Sequence, residues 1–132
     1  MAKTSASKGN VSNWIDISTS ASPTGWTSFS VKKIEYMITA GRLMIVKFNL
    51  TGITSTGITT ASFTLPFAIS SFMDDWQGGI RTITATTNAV GVALVSASST
   101  TVNLYPSAAA GDWQNAAGVV KTAYGTLIYA LP

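Results

Sequence analysis

The chain has neither cysteine nor histidine, and its 132 residues carry only five Asp and Glu against eight Lys and Arg. Without cysteine there is no disulfide framework, so stability has to come from packing, hydrogen bonds or contacts with other chains. Without cysteine or histidine, a Ser-His-Asp or Cys-His nucleophile is impossible and the ordinary ligand sets for zinc and copper are missing. Charged residues make up 10% of the chain, well below the share usual for a soluble domain. The net charge of +3 is too dispersed for a nucleic-acid footprint, which needs a clustered basic stripe. No apolar run approaches the ~18 residues that span a bilayer. The polar first ten residues lack the apolar stretch of a secretory signal, so a soluble protein without membrane insertion is expected.

What is present is material for β-strands and contact surfaces. Hydrophobic residues make up 46% of the chain, and Ser and Thr about a quarter. A surface built from Ser, Thr, Asn, Gly and apolar groups sets little charge repulsion between copies, which points to an obligate oligomer or a larger assembly. The length fits one domain with a continuous core. The one boundary lies near Asn13, which divides the chain into an N-terminal arm, residues 1–13, and a single β domain, residues 14–132. The arm holds Lys3, Lys8 and Asn10 as candidate assembly contacts. A dozen extended residues would reach roughly 40 Å, enough to lie across a neighbouring subunit.

β-branched and aromatic residues recur between Gly, Pro, Asn and Ser breaks, with no convincing helix. Strands are expected over 14–18, 26–39, 42–51, 61–65, 80–87, 90–97, 100–105 and 119–131. Residues 26–39 and 42–51 form a hairpin turning at Ala40-Gly41, where glycine takes positive φ at little cost. In the second of these strands Met44, Val46, Phe48 and Leu50 share a core face. Leu43, Ile45, Lys47 and Asn49 share the other, a half-apolar face of the kind a neighbouring subunit covers. Residues 67–79 read as irregular, the strand from Ile80 as turning at Asn88, and the second hairpin as turning at Ser98-Ser99. About eight strands at this spacing predict an all-β, antiparallel β-sandwich, jelly-roll-like, behind a short N-terminal arm.

Two loops carry the candidate ligand contacts. Asp112-Trp113-Gln114-Asn115 sets an indole among amide and carboxylate groups, the combination that stacks and hydrogen-bonds a sugar, and Asp74-Asp75-Trp76-Gln77 repeats it. The alternative for each tryptophan is to plug the end of the core or a subunit interface. A glycosidase would pair carboxylates drawn from Asp16, Glu35, Asp74, Asp75 and Asp112, but it needs a fixed carboxyl separation that sequence neighbours do not supply. A calcium site from Asp74 and Asp75 lacks the loop spacing of calcium motifs. No catalytic residue, metal site or cofactor is assigned.

The segment Tyr36-Met-Ile-Thr-Ala-Gly-Arg-Leu-Met-Ile-Val-Lys-Phe-Asn-Leu50, followed by Gly52 and by Ser62-Phe-Thr-Leu-Pro-Phe67, resembles a recurring β-module of tailed-bacteriophage virion proteins. The likeness continues through Gly91-Val-Ala-Leu, Thr101-Val-Asn-Leu-Tyr105 and Gly125-Thr-Leu-Ile-Tyr129. The resemblance implies a non-enzymatic virion protein, homotrimeric or otherwise homo-oligomeric, assembled in the host cytoplasm. The first expectation is a capsid cement or decoration protein that holds neighbouring capsid subunits through its arm and apolar sheet faces. The alternative is a tail-fibre or tail-tip receptor-binding module that recognises host-surface glycans.

Overall fold

The computed structural model describes residues 13–40, 42–70, 75–114 and 116–132, with residues 75–77 as backbone only. Among these residues the chain forms eight antiparallel strands and no helix. They are β1 (Ile15–Asp16), β2 (Ser28–Thr39), β3 (Leu43–Ile53), β4 (Ser62–Thr64), β5 (Asp75–Thr84), β6 (Thr87–Ser96), β7 (Thr101–Tyr105) and β8 (Val120–Ala130). Pairing links all eight into one curled sheet, in the order β1-β2-β3-β8-β5-β6-β7-β4.

The curl has an identifiable hinge. β8 pairs with β3 along its whole length, but with β5 only where Lys121–Tyr124 face Arg81–Thr84. Beyond that point β5 follows β6, β8 follows β3, and the sheet curls open between β5 and β8. Gly125 sits at the split, and a Cβ there would lie 2.9 Å from Cγ2 of Ile80, closer than real Cβ contacts come. A side chain at this position would push β5 away from β8. The segment after β4 fills the opening, with Ser70 N–H donating to Ala130 O, Ile69 N–H to Ser99 O and Leu65 N–H to Thr100 O. At the far edges, Thr24 exchanges backbone hydrogen bonds with Ser62, and Thr64 N–H donates to Ala21 O. The connection between β1 and β2 is thereby fastened to edge strand β4.

Period-two alternation decides what fills the curl. Met44, Val46, Phe48 and Leu50 of β3 are buried, as their shared face predicts, and Leu127 and Tyr129 of β8 join them. Phe63 of β4 closes on Phe48 with ring centroids 5.1 Å apart, and Val95, Val102 and Leu104 complete the opposite wall. Each large side chain buried this way stabilises the fold by roughly 1.5–3 kcal/mol. The Tyr129 hydroxyl lies 3.3 Å from Phe67 O and 2.8 Å from the Met44 sulfur, and burial pushes its ionisation above the usual tyrosine range.

Two boundaries differ from the sequence reading. β5 begins at Asp75, inside the stretch read as irregular, and Gly78 and Gly79 pair with Ala93 and Val92. Glycine has no side chain to signal a strand, so the ladder was hidden in the sequence. The β5–β6 turn falls at Ala85-Thr86 rather than Asn88, with Ala85 at a φ of 55°. Asn88 is a strand residue opposite Ile83, and its amide oxygen accepts a 2.8 Å hydrogen bond from Arg81. The other two turns fall where expected, with positive φ at Ala40 and Ser98.

Candidate functional site

The DWQN loop does not present a stacking surface. Trp113 is 2% exposed, its indole N–H donates to Leu104 O at 2.9 Å, and its backbone N–H donates to Thr59 O at 2.9 Å. The indole face offered to a glycan is turned into the core, because the ring has more apolar area to bury there than its exposed neighbours Asp112 and Gln114. Asp75 and Trp76 open β5, where their backbone pairs with Ser96 and Val95. Asn115, Asp74 and the arm residues Lys3, Lys8 and Asn10 lie outside the described residues.

The structure brings a different set of groups together, on the outward face of β1, β2, β3 and β8. Strand register arranges this face in cross-strand rows. At one end lie Thr39, Leu43 and Ala130, then Met37, Ile45 and Ile128. The middle rows are Glu35, Lys47 and Thr126, then Lys33, Asn49 and Tyr124. At the other end lie Val31, Thr51 and Thr122, then Ser28, Ile53 and Val120. Asp16 pairs with Glu35 from β1, so its outward side chain joins the charged rows.

These rows form an apolar band, a charged belt and a second, partly apolar band. The belt is neutral in itself. Lys33 Nζ lies 2.7 Å from Asp16 and 3.3 Å from Glu35, and Lys47 Nζ lies 3.4 Å from Glu35. Lys47 also sits 4.1 Å from the ring centroid of Trp14, which is 40% exposed. A recess of about 230 Å³ lies over the belt, lined by Lys33, Glu35, Lys47, Phe48 and Asn49. Leu43, Ile53, Val120 and Ile128 remain exposed on either side of it. Each charge of the belt lies within 4 Å of an opposite one, and Lys33, Asp16 and Lys47 stay about half exposed.

The Lys33 ammonium holds the Asp16 carboxyl well below the usual carboxylate range, helped by hydrogen bonds from Ser18. Lys33 is in turn raised, first by Asp16 and then by Glu35. The depressed carboxyl means that the pair contributes above the ordinary carboxylate range and is lost only as pH falls far below it. In Lys33→Met the Asp16 carboxyl is expected to titrate at higher pH, as followed by its side-chain carbon shift in NMR. An unmoved titration would show that the ammonium is not the cause.

Sequence reading also passed over Lys121. It shares the inward parity of Ala123, Leu127 and Tyr129 on β8, and that alternation was the available sign of its burial. Its ammonium lies 5.0 Å from the Trp26 ring centroid and 5.1 Å from that of Trp113, with Thr60 O at 3.4 Å. Trp26 in turn donates its indole N–H to Lys121 O at 2.8 Å. Lys121 is 1% exposed, and desolvation lowers its pKa to about 8. Enclosed in this way, the amine ties the Trp26 and Trp113 segments to β8 and is out of reach of a substrate.

No family model matches this chain, and a search of curated proteins finds no match either.

Proposed function

We propose that this chain is a non-enzymatic structural protein of a phage particle, a capsid cement or decoration protein that works by surface contact. The observation that carries the reading is the banded outer face, where apolar side chains stand exposed on both sides of a self-neutral charged belt. A surface of this kind is stable in water chiefly when part of it is covered. The single curled sheet around one core supports reading the fold as a jelly-roll-like sandwich, and the motifs between Tyr36 and Tyr129 support placing it in a virion. Burial of Trp113 removes the main stacking ring from the glycan-binding alternative, which favours the capsid role over a tail-tip receptor-binding role.

In this reading residues 1–12 reach onto neighbouring capsid subunits while the sheet faces associate. Deleting them is expected to leave thermal unfolding of the domain unchanged and to abolish co-sedimentation with capsids of the phage that encodes it. Unchanged capsid attachment would overturn the arm's role. Finding the protein at the tail tip in cryo-electron micrographs of intact particles would overturn the capsid assignment.

A further inference from the structure

We infer that the outer face of β2, β3 and β8 docks a second copy of this chain end for end, in an isologous pair whose two-fold axis crosses the strands over the charged belt. The inference rests on the self-associating reading above and names the surface and the partner.

The row order is what selects a second copy. A 180° rotation about an axis lying in the interface and across the strands keeps β2 over β2 and β3 over β3 but reverses the rows. Glu35 then faces the partner's Lys33, and Lys33 faces the partner's Glu35. Leu43 falls over the partner's Ile53, and Ala130 over the partner's Val120. Met37 likewise falls over the partner's Val31, while Ile45 and Ile128 fall over the partner's Thr51 and the partner's Thr122 and Lys47 over the partner's Asn49, so the match is ionic at Glu35 and Lys33 and apolar along β2 and at the two ends. Two sheets packed face to face stand about 10 Å apart with strands within about 30° of alignment, and β2, β3 and β8 pair along their length with one register shift, between Phe29 and Val31. A ring of three would instead need two different patches that fit each other, whereas this face is complementary to itself.

The strand face supplies over half of the area that a standard stable interface needs. Three strands of about eleven residues, at roughly 4.8 Å spacing and 3.3 Å per residue, offer about 500 Å² in plan. Side-chain relief, β1 and the stretch of β5 that pairs with Lys121–Tyr124 add to it, against the ~800 Å² per partner of a standard stable interface.

The absence of native cysteine makes the register directly testable. Leu43 and Ile53 stand about 33 Å apart on their own strand, too far for a short linker within one chain. In the proposed pair each lies about 10 Å from the other's counterpart. A Leu43→Cys, Ile53→Cys double variant treated with a short bis-maleimide is therefore expected to run as a covalent dimer, while either single variant is not. Untreated wild type is expected to sediment at twice 13.8 kDa. Ile128→Glu, at a position 50% exposed, is expected to weaken the dimer tenfold or more without changing the far-ultraviolet circular dichroism.

If the double variant crosslinks no better than the single ones while wild type still self-associates, this face and register are wrong and the structural reading stands. If wild type sediments as a monomer at high concentration, both fail together.

Discussion

Trp113→Ala is expected to destabilise the domain by about 3–5 kcal/mol in urea denaturation, the range for emptying a large aromatic site in a core. Three losses add. The indole leaves a cavity among residues of the core cluster, Leu104 O loses the donor that satisfies it, and one of the two rings beside the Lys121 ammonium disappears. The Trp113 backbone N–H still reaches Thr59 O, so the loop keeps one anchor and the change is expected to weaken the fold rather than abolish it. Gln114→Ala, at the exposed neighbour, is expected to stay within about 0.5 kcal/mol of wild type. A Trp113→Ala variant as stable as wild type would mean that the ring lies at the surface, and would return the loop to the list of sugar contacts.

The contrast between those two adjacent residues shows where the sequence was informative. The alternation of Met44, Val46, Phe48 and Leu50 against Leu43, Ile45, Lys47 and Asn49 is a local property of one strand, and it located both the core wall and the half-apolar outer face. On β8 the same alternation sets Tyr124, Thr126 and Ile128 on one side and the buried Leu127 and Tyr129 on the other. Trp113 is different, because a Trp beside Asp and Gln reads equally well as a stacking platform or a plug. What decides between them is the distant acceptors Leu104 O and Thr59 O, which only the assembled sheet brings near. β5 was half missed because Gly78 and Gly79 carry no pattern, yet they are paired by strand β6. Lys121 shares the inward parity of Ala123, Leu127 and Tyr129, and that alternation is the sign of its burial that the sequence carries. The belt was visible only as separate charges, since Asp16, Lys33, Glu35 and Lys47 meet through the registers of β1, β2 and β3.

The second large effect is expected at Lys121. None of the ion pairs among the described residues includes it. Its charge is instead met by two indole faces and one carbonyl oxygen. Desolvation lowers its pKa from 10.5 to about 8, whereas the unfolded chain keeps its proton up to the ordinary lysine range. Between those values the unfolded state binds more protons than the folded one, so stability rises with pH through this window. At about 1.4 kcal/mol per pKa unit the rise is at most about 3.5 kcal/mol, and the rings reduce it because they favour the charged form. Tyr129 acts in the opposite sense. Its raised pKa keeps the proton in the folded state after the unfolded chain has lost it, so stability falls again above about pH 10.

The measurement is therefore a urea midpoint followed from about pH 7 to pH 10, for wild type and Lys121→Met. Wild type is expected to gain stability from about pH 8 upward, and the methionine variant to lack that slope because it fills the same space without a charge. Lys121→Glu is expected to lose about 3–5 kcal/mol at neutral pH, since a carboxylate there has no cation to pair with and faces the negative surfaces of two rings. A wild-type profile as flat as that of Lys121→Met would show that the ammonium is solvated or paired. Trp26 and Trp113 would then hold β8 by apolar contact and their own hydrogen bonds alone.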